Sequence, residues 1–453
     1  MNNDQAANHH SLSEPTLPNL WRIAVPLSGA MLSQSLLGLV DTALVGHLGG
    51  LALASVSIGS YLVFILVALI TGFGTGWHNL ISKHGQTHPR LFFLGLAYAV
   101  VISITVGAIG GYITDDLINM FVLDDRINTL AADYAQARLW ALPAIALSIG
   151  ARIYWSELGA PWQYTQILLL AHLANVPISY GLIYGLGGLP AMGAVGAGIG
   201  TSIAVWLGVF LQALMLFKKS SSNATISSAL FSLNHWQLLL RFTWPPMLQQ
   251  FIFSLHLAVF LWIISLLGAS VMAASFSVLN VGLVLILPAI GLGQSALSLL
   301  GAALANGNKE YIIKWSKLIL HTGVLSVSVL ALFVGFAAPW LAQLLLVNRE
   351  LQQLTIAALP WYAAAMVLEA CIIILGRFVL LTGQRKTVLL LMSASQWLVF
   401  LPLLYWLSPA YGFMTVWWLH VGYRVVTIFC FWWMWRRFIK GPLIGQMSTF
   451  NKE

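Results

Sequence analysis

The chain has 453 residues, of which 59% are hydrophobic and only 8% are charged, whereas about a quarter of the residues in a soluble domain are charged. This composition, with a mean hydropathy of +0.86, excludes a soluble enzyme, a nucleic-acid-binding protein and a secreted disulfide-rich domain, and it makes the lipid bilayer the solvent of the chain. The net charge of +8 does not indicate nucleic-acid binding, because the Lys and Arg residues are scattered between apolar runs. Cys371 and Cys430 lie inside apolar runs and are expected to be buried apolar residues.

Twelve apolar runs are long enough to cross a bilayer as helices, which takes about 20 residues each. The runs show no polar–apolar alternation with a period of two, so a transmembrane β-barrel is not expected. The predicted fold class is therefore all-α integral membrane, with twelve transmembrane helices. The runs lie near residues 21–46, 51–80, 91–121, 129–157, 163–187, 193–217, 237–266, 271–303, 311–345, 351–381, 387–408 and 413–436.

The basic residues predict the orientation of these helices. If the N-terminus is inside, nearly all Lys and Arg residues fall at the inner ends, and only Arg126 and Arg349 fall in outer loops. Because Lys and Arg concentrate on the cytoplasmic side, both termini are expected to be cytoplasmic and the chain to be a multi-pass protein of the inner (cytoplasmic) membrane.

The two halves of the chain share a weak repeat. A shift of 219 residues places Pro26 on Pro245 and Ser35 on Ser254. An even number of spans per half makes the repeats parallel, which predicts two pseudo-symmetric six-helix bundles. Duplicated bundles are typical of transporters, although channels and membrane enzymes can also be duplicated. The predicted segments are a cytoplasmic tail 1–19, an N-lobe 20–217, a cytoplasmic linker 218–236, a C-lobe 237–440 and a second cytoplasmic tail 441–453.

Only two carboxylates lie well inside a predicted span, Asp41 and Glu369. An ionisable residue in the bilayer is a functional candidate by default. We interpret Asp41 as a group that takes up and releases a proton, or that exchanges it for a sodium ion. The alternative is a hydrogen bond that fastens the first helix to a neighbour. Gln34 lies seven residues earlier, on the same face of the helix.

Three more polar residues follow in the fifth and sixth spans. Asn175 and Ser179 are four residues apart and share a helix face, and Thr201 lies in a run of small residues. With Asp41 they offer one carboxylate, one amide and two hydroxyls, which suit a small cation such as sodium (at Asp41, Asn175 and Thr201) or a proton-linked hydrogen-bond network. Taken separately, each is equally consistent with an interhelical hydrogen bond.

The second half offers candidates for a substrate cavity. They are Gln249, Gln250 and His256 in the seventh span, Asn280 in the eighth and Glu369 in the tenth. For Glu369, a pair with a neighbouring helix is an equally good interpretation, and His256 and Asn280 also fit ordinary interhelical hydrogen bonds.

The first span carries a motif that resembles a known family. Val25-Pro26, followed by the stretch Val40-Asp41-Thr42-Ala43-Leu44-Val45-Gly46-His47-Leu48-Gly49, is similar to the first-helix signature of the multidrug and toxic compound extrusion (MATE) family, and it looks closest to the DinF-like branch. The resemblance extends to the glycine turns at Gly159 and Gly383 and to the Asn175 segment. It implies a secondary antiporter, active as a monomer and without a cofactor, that exports amphipathic or cationic drugs in exchange for protons or sodium by alternating access.

The resemblance also implies roles for residues. It makes Asp41 the coupling group and carries the cation-site positions onto Asn175 and Thr201. The branch often has a second aspartate where this chain has Ser179, which favours a proton over sodium. Another branch uses acids in the seventh and tenth helices; the seventh has none here, and Glu369 is out of register, so a second coupling site is not expected.

Three other functions are ranked lower. A lipid-linked flippase of the same superfamily tends to carry basic residues in its cavity, and here only Arg138 and Arg424 lie within spans. An integral-membrane transferase needs clustered acids, histidines or metal ligands, and a passive channel needs a filter motif. The chain is therefore expected not to be an enzyme and to bind no structural metal.

Overall fold

The computed structural model describes residues 14–84, 89–119, 125–158, 160–188, 190–219, 233–305, 308–382 and 384–440. The predictions for most of both tails, for most of the linker, and for the turns at Gly159 and Gly383 concern residues outside this part of the chain.

All regular elements of the described chain are helices, because an apolar chain in lipid must satisfy its backbone hydrogen bonds internally. A π-helix, Ser395–Phe400, connects the α-helices Arg385–Ala394 and Leu401–Tyr411. The α-helices are α1 Leu17–Gly46, α2 Gly50–His84, α3 Pro89–Asn119, α4 Asp125–Leu139, α5 Leu142–Glu157, α6 Pro161–Tyr184, α7 Gly193–Lys219, α8 Leu233–Ser265, α9 Ala269–Leu285, α10 Leu287–Ala305, α11 Lys309–Phe336, α12 Ala338–Leu345, α13 Arg349–Leu380, α14 Arg385–Ala394, α15 Leu401–Tyr411 and α16 Met414–Lys440.

Nine helices of the described chain are long and apolar enough to cross a membrane. The bent pair Ala269–Leu285 and Leu287–Gly301, with an angle of 41° between its members, counts as a tenth if it is one span. These helices fall on the predicted apolar runs. The expectation of an all-α integral membrane protein is therefore confirmed.

Several predicted spans are interrupted helices. The run 129–157 consists of α4 and α5, which are separated by a turn at Trp140–Ala141, and Pro143 lies in the first turn of α5. Pro288 follows the break between α9 and α10 in the same way. Because proline has no amide hydrogen, it is tolerated at a helix start but interrupts the hydrogen bonds of a helix interior. Each break therefore lies beside a proline that is visible in the local sequence.

The described residues divide into two compact units. The first unit comprises Leu37–Phe276 and Leu345–Leu351, and the second comprises the remaining described residues. The unit boundaries fall inside α1 and α9, so they differ from the limits of the predicted lobes 20–217 and 237–440. The lobes stay a prediction.

The first unit is built around α2, which packs closely against α8. The apolar centre includes Phe73 and Trp77, both almost fully buried. At Gly72 a Cβ atom would lie 2.6 Å from the Cα of Met247, and at Gly76 it would meet the backbone of α8 at Thr243. Glycine is therefore required at this crossing, because any side chain would push the two helices apart.

The second unit contains an aromatic cluster on α13, the π-helix and α16. The rings of Tyr362 and Trp417 lie 5.2 Å apart, and the ring of Phe400 lies 4.5 Å from that of His420. Such edge-to-face contacts pack the interior of the unit around the polar residues described below.

Candidate functional site

Asp41 lies near the end of α1, in the first unit. Its Oδ2 atom is 3.5 Å from the hydroxyl of Thr201 on α7. Its Oδ1 atom is buried and has no hydrogen-bond partner among the described residues. The hydroxyl of Tyr184 donates to the carbonyl of Leu44 at 3.1 Å, which holds the end of α6 against the end of α1. The carboxylate is thus positioned by its helix and only weakly held by its neighbours.

Asn175, Ser179 and Thr201 form a chain of polar groups behind Asp41. The Ser179 hydroxyl donates to the Asn175 amide oxygen at 2.5 Å. The Asn175 amide nitrogen in turn lies 3.5 Å from the Thr201 hydroxyl. All three side chains are buried. The structure therefore brings together four of the five residues that the sequence assigns to the coupling site. The side chain of the fifth, Gln34, lies outside the described residues.

The close approach of α6 and α7 explains why these groups meet. A Cβ atom at Gly200 would lie 2.8 Å from the Cα of Ser179 and would overlap its hydroxyl. A Cβ atom at Gly196 would lie 2.6 Å from the carbonyl oxygen of Leu182. The run of small residues at the start of α7 thus allows backbone contact, and the next residue, Thr201, is brought beside Asn175.

The Thr201 hydroxyl has two possible acceptors but a single proton. It lies 2.9 Å from the carbonyl oxygen of Ala197, on its own helix, and 3.5 Å from Asp41. Because a hydroxyl donates only one hydrogen bond, Thr201 donates to the closer carbonyl oxygen of Ala197, and its interaction with Asp41 is weak. Asp41 therefore keeps unused capacity to accept a proton, with Oδ1 as the open position.

Arg138 is a basic group that acts on this network. It lies in the last turn of α4, and its guanidinium acts electrostatically on the Asp41 carboxylate. Sequence reasoning placed Arg138 within a span without relating it to Asp41. The available signal was that Arg138 and Arg424 are the two basic residues that the orientation argument does not explain.

The predicted cavity residues are distributed over both units. Gln249, Gln250 and His256 lie on α8 in the first unit, where Gln249 is exposed and His256 is buried. Asn280 on α9 and Glu369 on α13 belong to the second unit. Their assignment to a substrate cavity stays a prediction.

Glu369 has a partner on another helix. The Nε atom of Arg424 on α16 donates to its Oε2 atom at 2.7 Å, and the Nη1 atom donates to the carbonyl oxygen of His420 at 2.8 Å. The Arg424 side chain is only 6% exposed, and that of Glu369 is 21% exposed. This arrangement matches the interpretation of Glu369 as a member of an interhelical pair.

No group of three or more His, Cys, Asp and Glu residues in the described chain is arranged to hold a metal ion. The site around Asp41 offers a single carboxylate, with neutral oxygens from one amide and two hydroxyls. Such a set of oxygen atoms is chemically suited to a proton or a small monovalent cation.

Known proteins of similar sequence are named as multidrug resistance proteins. A probable multidrug resistance protein NorM from Pasteurella multocida is 25% identical over 423 residues, which cover 88% of this chain and 89% of the relative. A protein of the same name from Burkholderia mallei is 28% identical over 282 residues, so the match spans about three fifths of both chains, 61% and 60%. These relatives are named for drug resistance and not for a catalysed reaction, in agreement with the expectation that the chain is not an enzyme.

Solved structures show the same fold. An inward-facing multidrug resistance MATE family transporter of the MOP superfamily aligns with a TM-score of 0.79 at 20% identity, covering 92% of this chain and 96% of the other. A MOP superfamily transporter from Pyrococcus furiosus aligns with a TM-score of 0.73, also at 20% identity, covering 93% and 96%. The predicted fold class, MATE-like and with twelve transmembrane helices, is confirmed. The sequence model of the MatE family matches residues 26–181 and 245–406, so the chain belongs to the MatE family.

Proposed function

We propose that the protein is a secondary active antiporter that exports amphipathic or cationic small molecules in exchange for protons, by alternating access. Relatives named as multidrug resistance proteins support the export of drugs. The driving ion and the substrates are our inference for this chain. We also propose that it works as a monomer and needs no cofactor.

The observation that carries the proposal is the unsaturated carboxylate of Asp41. It is an acid inside the apolar part of the first unit, with one oxygen that has no hydrogen-bond partner and another that makes only a contact of 3.5 Å. A group that served only to fasten helices would use its hydrogen-bonding capacity, since buried polar atoms without partners are costly. The open oxygen is therefore best explained as the place where a proton binds and leaves.

The coupling follows from differential affinity. A proton that binds Asp41 neutralises its carboxylate. The neutral side chain is more stable in an apolar, closed environment than the ionised side chain is. The drug and the proton then favour different conformations of the protein, and an ion gradient drives export only through that difference. The long contact between Asp41 and Thr201 allows this change, because few bonds must break when Asp41 changes its protonation state.

Sodium is the alternative driving ion. A monovalent metal ion at Asp41 would take its remaining ligands from Asn175 and Thr201. The position that would supply a second carboxylate is Ser179, whose hydroxyl is neutral and donates a hydrogen bond to the amide oxygen of Asn175. A single carboxylate suits a proton better, because protonation neutralises it by forming a covalent bond.

We place the protein in the cytoplasmic membrane with both termini in the cytoplasm. The concentration of Lys and Arg at one side of the predicted spans supports this orientation.

The test is efflux of a fluorescent organic cation from proteoliposomes that contain the purified protein. We expect transport under an imposed pH gradient and none under a sodium gradient alone. Asp41→Asn should abolish proton-driven transport while the protein keeps its elution profile in detergent. Asp133→Asn, which removes an exposed acid on α4, is the matched control and should transport normally. Undiminished proton-driven efflux by Asp41→Asn would refute the assignment.

A further inference from the structure

We infer that Arg138 is the internal counter-ion of Asp41 and that it makes the site selective for a proton over an alkali cation. This inference deepens the proposed function and rests on it. It concerns a residue on α4, a helix that supplies none of the polar residues predicted for the site.

The packing of α4 against α7 places Arg138 beside the network. The Ser202 hydroxyl donates to the carbonyl oxygen of Ala137 at 2.8 Å, and a Cβ atom at Gly198 would lie 3.2 Å from the carbonyl oxygen of Tyr134. Residues 198 and 202 of α7 thus face residues 134 and 137 of α4. Arg138 lies four residues after Tyr134, and Thr201 lies three residues after Gly198, so each residue lies on the face of its helix that packs against the other helix.

Neither charged group is saturated by hydrogen bonds. The Nε atom of Arg138 is buried without a hydrogen-bond partner, as is the Oδ1 atom of Asp41. Buried charges are ordinarily paired or fully hydrogen-bonded, because their removal from water is costly. Two opposite charges in one unit, each with an open position, compensate each other through space. They are not locked in a short ion pair, so a proton can still compete for the carboxylate.

The guanidinium affects a proton and a sodium ion differently. A proton becomes part of Asp41 and needs no ligands beyond the carboxylate. A sodium ion needs several oxygen ligands around it, whereas a guanidinium provides five N–H donors and no acceptor. With Ser179 in place of an acid, the single carboxylate of Asp41 must offset both Arg138 and a bound sodium ion. Arg138 therefore excludes alkali cations while it stabilises the ionised carboxylate between transport cycles.

The variant Arg138→Gln tests this inference in the proteoliposome efflux assay. Without the positive charge, Asp41 should hold its proton more strongly, so the pH of half-maximal transport should shift upward by about one unit or more. A sodium gradient should also begin to drive efflux. Arg138→Lys keeps the charge and should retain the wild-type pH profile and ion preference.

Two further variants separate charge from folding. Arg126→Gln removes the same charge from the other end of α4, about 18 Å away, and should behave as the wild type. The double variant Asp41→Asn/Arg138→Gln removes both charges and should fold, but its residual transport should not respond to pH. A wild-type pH profile and unchanged ion preference in Arg138→Gln would overturn the inference. Failure of the proposed function would instead appear in the wild-type protein, as no efflux under a pH gradient.

Discussion

Removal of the Glu369 carboxylate is expected to destabilise the second unit, because it leaves the guanidinium of Arg424 without its anionic partner. The Arg424 side chain is only 6% exposed, so water cannot replace the lost contact of 2.7 Å. Glu369→Gln keeps the size of the side chain and removes the charge. The variant therefore isolates the electrostatic part of the interaction.

The size of the effect follows from what remains around Arg424. Breaking a buried ion pair by removing one partner costs about 3–5 kcal/mol in free energy of unfolding. Arg424 keeps its bond to the carbonyl oxygen of His420 and its position 4.9 Å from the centre of the Tyr423 ring, so we expect a loss of about 3 kcal/mol, at the lower end of that range. The double variant Glu369→Gln/Arg424→Met removes the stranded charge and should recover much of the loss.

Thermal unfolding in detergent, followed by tryptophan fluorescence, measures these differences. Glu310→Gln is the matched control, because it breaks a pair of 2.6 Å with Lys314 in the same unit, where both side chains are more than half exposed. We expect no measurable shift for this control. The reasoning would be refuted if Glu369→Gln unfolded at the wild-type temperature, or if the double variant were less stable than Glu369→Gln.

Two further predictions concern the first unit. Gly72→Ala should lower the free energy of unfolding by about 1–3 kcal/mol, because the new Cβ atom would overlap the backbone of α8. Gly335→Ala on α11 is the control, since no atom lies within 4 Å of its new Cβ atom, and it should be neutral or slightly stabilising. Equal effects of the two substitutions would argue against the close crossing of α2 and α8. Ser179→Asp introduces a second acid into the site, and efflux driven by a sodium gradient should appear in the proteoliposome assay. Absence of sodium-driven efflux would count against our explanation of proton preference.

The sequence predicts the helices and the main polar groups well because the bilayer imposes strong constraints. Apolar length identifies spans, and a carboxylate inside a span has no ordinary surface role. Asp41 could therefore be singled out without coordinates. Asn175 and Ser179 could be predicted to lie close together, because residues four positions apart on a helix share one face.

Contacts between helices could not be predicted in the same way. The pairing of Arg424 with Glu369 joins residues 55 positions apart, and the placement of Arg138 beside the Asp41 network depends on how α4 packs against α7. Apolar patterns in a membrane protein specify helix rotation weakly, since lipid-facing and buried surfaces are both apolar. The helix breaks before Pro143 and Pro288 are signalled locally by the prolines. Hydropathy alone, however, predicts one continuous helix across each break.

The contrast between the two intramembrane acids supplies an argument that sequence alone lacks. Both are carboxylates in apolar helices, and composition treats them alike. Glu369 accepts a charge-assisted hydrogen bond of 2.7 Å from the buried guanidinium of Arg424. Loss of the Glu369 carboxylate should therefore lower the free energy of unfolding. Asp41 has one oxygen without a partner and one contact of 3.5 Å, so its capacity is open. We therefore propose a structural role for Glu369 and a coupling role for Asp41. Asp41→Asn should then stop transport with little loss of stability, and Glu369→Gln should do the reverse.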